Sequence, residues 1–370
     1  MGKIVGILSM QRVINYGSFL QAFALKQMLL QNGAEEVHFI DIEAGRPLME
    51  YRQRPLKLME RIKRQIKLIL RGAFFRNLRD KKFMGRLCKS ILDCYPLLES
   101  DSKKPAQYDL AVIGSDEVFN CCQTSSWGYT LQLYGQIDDA KEVISYAGSF
   151  GHTTYGQLIS YGLDKEISST LRTLKAISVR DQNSFDIVKR LTGISSQIHL
   201  DPVLIYGYSK EIGQGKVGSG EKYMVVYSYS GRFSDKQEVA AIRSFAKKMG
   251  LKLYSIYCRY DWCDKAIIPD TPFEVLRWFK GAEYVATDTF HGTIFSMITR
   301  TNFCTFMRKS NTQKLTSLLE GFSLESRAVP IDLCGELEKI MTTPIEWNMF
   351  ERKLASERER SNKYLKEFLL

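Results

Sequence analysis

The chain is poor in the residues from which metal sites and disulfide frameworks are built. Its eight cysteines, at positions 88, 94, 121, 122, 258, 263, 304 and 334, include no CxxC pair, and it has only four histidines. That argues against a zinc module and against a disulfide-stapled scaffold, and leaves the cysteines as reduced packing residues. Cys258 and Cys263 come nearest to a ligand pair, but Arg259, Tyr260, Asp261 and Trp262 separate them and no second pair completes a tetrahedral set. No metal is expected. No uninterrupted apolar run approaches the length that spans a bilayer. The opening Met1-Gly2-Lys3-Ile4-Val5-Gly6-Ile7-Leu8 has the apolar run of a first strand, without the core and small-residue cleavage site of a secretory signal, so a cytoplasmic location is expected. Internal repeats, low-complexity tracts and a GxGxxG fingerprint are also missing, which removes support for a dinucleotide cofactor.

What is present fits a folded protein of two domains: 370 residues, 44% hydrophobic and 25% charged. The net charge of +11 is concentrated. Between Arg46 and Lys89 stand 15 basic residues against three acidic ones, Glu50, Glu60 and Asp80, so this segment accounts for the whole excess. Within it Leu58, Ile62, Ile66, Ile69 and Ala73 recur at helical spacing between Arg61, Lys63, Arg64 and Lys67, and Phe74, Phe75 and Leu78 follow. Such a basic amphipathic helix either lies on an anionic bilayer, each cation contributing on the order of 1 kcal/mol before screening, or packs its stripe on the protein and leaves the charges solvated. Nucleic acid is not an expected partner, since no binding motif accompanies the charge.

Apolar runs at Ile4–Leu8, Val37–Ile42, Leu110–Ile113, Val143–Tyr146 and Ala176–Val179 alternate with helical patterns such as Phe19–Leu30 and Phe185–Leu191. Glycines crowd the stretch Gly207 to Gly220, read as a linker. Alternation then restarts, with strands at Tyr223–Tyr229, Lys252–Tyr257, Tyr284–Thr287 and Phe303–Phe306 and helices around Lys236–Met249, Pro272–Phe279, Thr293–Thr299 and Lys314–Glu320. The expected fold is α/β, with two Rossmann-like doubly wound domains facing a cleft. They would span 1–206, with the basic insertion 46–89, and 221–344, while 345–370 forms a terminal helix packing back across the junction.

Open parallel sheets bind ligands beyond the carboxyl ends of their strands, so the residues there are the candidates. Val285-Ala286-Thr287-Asp288-Thr289-Phe290-His291-Gly292-Thr293 runs from a buried strand into a helix, combining an N-terminus suited to anions with an imidazole, a side chain able to serve as an acid or a base. Asn15-Tyr16-Gly17 follows the first strand, with Gly17 permitting close approach. Gly114-Ser115-Asp116 follows the third and places a carboxylate, either a base or a helix cap. Ser178-Val179-Arg180-Asp181 puts a guanidinium at a strand end, to hold an anion or to pair with Asp181 or Asp201.

These segments, together with Asp201-Pro202 and in this order, resemble the polysaccharide pyruvyl transferases over about residues 4 to 325. The ordered set carries the resemblance, not any single motif. It implies a glycosyltransferase-B-like fold and transfer of a pyruvyl group from phosphoenolpyruvate to a sugar of a surface-polysaccharide precursor, usually as a ketal, with release of phosphate. It implies no cofactor beyond phosphoenolpyruvate as co-substrate. By this match His291 is the acid–base residue and Arg180 an anion-binding residue for the donor; the chemistry of transfer also needs a group that orients or deprotonates the acceptor, a role open to Asp116. Arg180, Thr289, Gly292, Thr293 and Arg308 fall on the donor side, and Asn15, Gly17 and Ser115 on the acceptor side. Many members carry Arg where this chain has Thr289, so either the helix N-terminus suffices or Arg308 and Lys309 supply the charge. The partners implied are phosphoenolpyruvate and a glycan acceptor, lipid-linked at the inner face of the cytoplasmic membrane, where segment 46–89 would make a peripheral contact. The competing readings are a glycosyltransferase using a nucleotide sugar and a noncatalytic protein binding membranes or anionic polymers.

If segment 46–89 docks on anionic lipid, replacing Arg61, Lys63, Arg64 and Lys67 by Gln weakens co-sedimentation with anionic liposomes in low salt. Unchanged co-sedimentation refutes the docking.

Overall fold

A computed structural model describes residues 2–48, 74–100, 102–122, 125, 127–213, 217, 218, 220–330 and 334–370. The expected helix through Leu58 and Ala73 lies outside these residues. The chain opens with β1 (Ile4–Leu8), the helix Tyr16–Gln31 and β2 (Glu36–Ile40), and continues through β3 (Tyr108–Ile113), β4 (Ala140–Ser145), β5 (Ser178–Val179) and β6 (Gln197–Ile198). All pairs are parallel, in the order β2-β1-β3-β4, with Val5 opposite Val37 on one side and Leu110 on the other. Bridges Ile144–Ala176 and Gly148–Val179 attach the β5-β6 pair beyond β4. These strands read as continuous apolar runs because both faces of the sheet are covered, which is the condition under which parallel sheets occur.

The second half repeats the plan with β7 (Tyr223–Tyr227), β8 (Lys252–Ile256), β9 (Lys265–Ile267), β10 (Tyr284–Thr287), β11 (Asn302–Phe306) and β12 (Ala328–Val329), ordered β12-β11-β10-β7-β8-β9. The expected α/β fold of two Rossmann-like halves is thus present. β6, β9 and β12 were not anticipated; at two or three residues each they are too short to show a period.

One apolar core runs through both halves. Phe19 and Phe23, on the helix Tyr16–Gln31, meet Phe273 of the second half edge-on, with ring centroids 5.8 and 4.9 Å apart. The stretch expected as a linker begins inside this seam: Tyr208 is fully buried and its hydroxyl donates to the Leu20 carbonyl, after which comes a short helix, Ser209–Gly213. The final helix, Trp347–Leu369, returns to the first half. There the Tyr364 hydroxyl donates to the Ser145 carbonyl at 2.8 Å and Arg358 Nε to that of Ile205 at 2.8 Å. Apolar seams of this kind suppress the relative motion expected of loosely joined domains.

The described end of the basic segment is the helix Phe74–Leu92. Phe83, Leu87 and Ile91 are buried, while Arg79, Lys81, Lys82, Arg86 and Lys89 face outward. Leu78, expected on the apolar stripe, is instead 47% exposed. Among the described residues no helix is long and apolar enough to cross a membrane.

Because the seam is shared, Phe19→Ala should cost about 3–5 kcal/mol and lower the stability of both halves together. Urea titration followed by far-UV circular dichroism and tyrosine fluorescence should give coincident transitions for the variant; separate transitions would contradict a common core.

Candidate active site

Strand order reverses between β1 and β3 in the first half and between β7 and β10 in the second, and such reversals open a crevice at the carboxyl ends of the strands. The two crevices face each other. Between them lies a cavity of about 540 Å³, within the range of ligand pockets. After β1 come Asn15 and, in the first turn of the helix Tyr16–Gln31, Ser18; the loop after β3 contributes Asp116 and Glu117, and that after β5 Arg180. From the other side come Tyr229 and Arg232 after β7, Thr289, Phe290 and His291 after β10, and Asn311 and Lys314 after β11.

At the back of this cavity sits Asp201, fully buried at the N-cap of the helix Pro202–Tyr206. Its Oδ2 accepts from Arg180 Nη1 at 2.9 Å and from the Ser115 hydroxyl at 3.3 Å, and lies 3.7 Å from His291 Nε2; its Oδ1 accepts the Val203 N–H at 3.0 Å. Burial pushes this carboxyl up, but the His291 imidazole, the Arg180 guanidinium and the Val203 N–H outweigh it and hold it at about 2. It therefore stays ionised through the neutral range, one charge shared by an imidazole and a guanidinium. Arg180 stacks over the Phe290 ring with 4.5 Å from its carbon to the centroid, and its Nη2 lies 3.9 Å from Asp116 Oδ1. Of the two carboxylates considered for Arg180, Asp201 is the one it bonds; Asp181 instead caps the helix Gln182–Thr192 and accepts the Ser149 hydroxyl at 2.6 Å. Both Arg180 Nε and His291 Nε2 are buried without a hydrogen-bond partner.

Asp116 has a left-handed backbone, φ +86°. A short polar side chain tolerates that conformation, and strain of this kind gathers at functional sites. Its carboxylate accepts the Glu117 N–H at 2.9 Å and the Ser18 hydroxyl at 2.9 Å. Ser18 is itself fixed by Asn15, whose side-chain oxygen accepts its N–H at 2.7 Å as the N-cap. Glu117 pairs with Lys314 across the cleft at 2.7 Å. Burial raises the Glu117 carboxyl, yet Lys314, Asn120 and Arg180 outweigh it and hold it at about 2.

The remaining expected residues divide. Gly17 allows a close approach, but the group that approaches is His291: a Cβ there would stand 2.2 Å from the imidazole Nδ1. Thr289 lines the cavity and its hydroxyl caps the helix Phe290–Thr299, accepting the Gly292 N–H at 2.9 Å. Gly292 is required by packing, since a Cβ would meet the Thr287 hydroxyl at 2.2 Å. Ser115 lies behind the cavity, on Asp201. Thr293 also points away, to the Thr305 hydroxyl at 2.9 Å. Arg308 is engaged by Asp288 at 3.0 Å and by both oxygens of the buried Glu238, outside the cavity lining.

A model of the polysaccharide pyruvyl transferase family, built from sequence, matches residues 15–310. The chain belongs to this family. It is accordingly a transferase of polysaccharide biosynthesis. No curated protein matches the transferase in sequence. Its fold is similar to that of the UDP-GlcNAc 2-epimerase from Methanocaldococcus jannaschii, at TM-score 0.50 and 12% identity over 98% of this chain and 99% of the other. It is also similar to an α,α-trehalose-phosphate synthase (UDP-forming) from Burkholderia xenovorans, at TM-score 0.52 and 8% identity over 99% and 98%. At such identities the likeness establishes the glycosyltransferase-B-like fold alone.

Several site residues of the transferase escape sequence reasoning. Arg232 follows a strand end, where the crevice rule would have found it in Tyr229-Ser230-Gly231-Arg232. Asp201 does not escape it, being a candidate partner of Arg180 in the sequence, and it also has a local signal, an N-cap before Pro at the first helical position. Lys314 and Glu117 have none, because their pairing depends on how the two sheets meet.

Gly17→Ala should displace the His291 ring and lower turnover about a hundredfold, the scale expected for a misplacement of about 1 Å, with an unchanged melting temperature. Near-normal turnover in this variant would show that His291 needs no support from the helix Tyr16–Gln31.

Proposed function

We propose that the transferase moves the enolpyruvyl group of phosphoenolpyruvate onto two hydroxyls of a sugar in a surface-polysaccharide precursor, forming a pyruvate ketal and releasing phosphate. The observation that carries this reading is the convergence of Arg180 and His291 on the single carboxylate of Asp201 in one cavity between the halves. The donor is an enol phosphate, electrophilic at its second carbon once the terminal methylene is protonated, so transfer needs a proton donor, an anion clamp and a base for the attacking hydroxyl. His291 donates the proton that turns the methylene into a methyl group. Arg180 steadies the donor's negative charge, its guanidinium already oriented by Asp201 and Phe290.

Asp116, hydrogen-bonded to Ser18 on the first-half side, receives the proton of the attacking hydroxyl. The first sugar oxygen bonds to the cationic carbon; the second then displaces phosphate from it, breaking the bond between carbon and phosphate oxygen. Of the two hydroxyl protons, one ends on the methyl group by way of His291 and the other on the departing phosphate. The acceptor is a lipid-linked precursor at the inner face of the cytoplasmic membrane, and the outward cations of the helix Phe74–Leu92 support such a location.

Incubation with phosphoenolpyruvate and a panel of lipid-linked and simple glycosides should release phosphate and give a product carrying added pyruvate by mass spectrometry. His291→Ala should abolish both with the circular dichroism spectrum preserved. Nucleoside diphosphate released from a nucleotide sugar, with phosphoenolpyruvate untouched, would replace this reading by glycosyl transfer.

A further inference from the structure

The cations around the cavity are unequally free to meet an anionic donor. Arg180 is bonded to Asp201 at 2.9 Å, Lys314 to Glu117 at 2.7 Å and Arg12 to Asp41 at 3.1 Å. Arg308 is held by Asp288 and Glu238 and does not reach the lining. Asp116 adds a further negative charge beside Arg180, which Asp201 already holds. A donor bearing both a phosphate and a carboxylate brings at least two further negative charges, and Coulomb's law makes their accumulation beside these carboxylates costly unless an uncompensated cation is at hand. Among the described residues Arg232 is that cation: it lines the cavity and makes no ion pair there.

Its placement is defined. The guanidinium carbon stands 4.7 Å from the centroid of the Tyr229 ring, which orients the planar fork, and Nη1 points to the Asp288 carbonyl at 3.4 Å. Asp288 immediately precedes Thr289, the N-cap of the helix Phe290–Thr299. Arg232 thus brings its charge from the loop after β7 to the very turn where Thr289 carries none. The helix N-terminus alone is a weaker substitute, because the Thr289 hydroxyl already occupies the Gly292 N–H.

We propose that Arg232 is the binding residue for the phosphate of the donor, with the first turn of the helix Phe290–Thr299 beside it and Arg180 left for the carboxylate. The fork of Arg232 suits two phosphate oxygens at once, which a lysine at the same place matches only in charge. The assignment rests on the reading of the donor as phosphoenolpyruvate, and its test separates the two.

Binding of phosphoenolpyruvate and of inorganic phosphate to the full chain is measured by isothermal titration calorimetry for wild type, Arg232→Gln, Arg232→Lys and His291→Ala. The wild type should bind both ligands. His291→Ala should retain phosphate binding without turnover. Arg232→Gln should weaken both ligands at least tenfold and raise KM for phosphoenolpyruvate by a similar factor, with an unchanged melting temperature in the absence of ligand, and Arg232→Lys should recover part of the loss. Wild-type binding with Arg232→Gln within twofold of it overturns the assignment of Arg232 and leaves the donor reading standing. Failure of the wild type to bind either ligand overturns both.

Discussion

A single ionised carboxylate in a dry place organises this molecule. Asp201 is fully buried, and a charge so placed is tolerated only if its lone pairs are filled and its charge is matched. Arg180, Ser115 and the Val203 N–H fill them, and His291 stands close by. The reciprocal effect is that an arginine on one half and a histidine on the other are drawn to one point. Asp201 also begins the helix Pro202–Tyr206, whose Val203, Leu204 and Ile205 belong to the shared core, so its position is fixed by the same packing that joins the halves.

Around that point the halves contribute unlike groups. The first supplies carboxylates, Asp116 and Glu117, and the buried Arg180; the second supplies the imidazole, Lys314 and Arg232. Neither half lines the cavity alone. An imidazole and a carboxylate stand on opposite walls of one cavity, and they do so only while the apolar seam through Phe19, Phe23 and Phe273 holds the sheets in register. The contact of His291 with Gly17 is the tightest expression of this dependence, since the ring of one half rests on the helix backbone of the other where any side chain would intrude.

Much of this was legible in the residues. Strand and helix periods located the long elements to within a few positions: the helix read as Pro272–Phe279 runs Pro272–Lys280, and the strand Tyr284–Thr287 matches. The rule that ligands gather beyond strand ends pointed to Asp116, Arg180 and His291, which do line one cavity. The same rule, applied to types of residue alone, also picked Thr293 and Arg308, whose polar groups are spent inside the fold on Thr305, Glu238 and Asp288. A side chain's chemistry is visible in the sequence, but whether a neighbour has already taken it is not.

The chain by itself therefore determined the two parallel α/β halves, the order of the motifs and the stock of reactive groups at strand ends, because hydrophobic period, helix caps and strand-end chemistry are properties of neighbouring residues. Only the tertiary structure decided that Asp201 joins Arg180 and His291, that Glu117 faces Lys314, and that Arg232 stands beside Thr289. Those partners lie far apart along the chain or on different strands, and their distances follow from how two sheets pack across a common core.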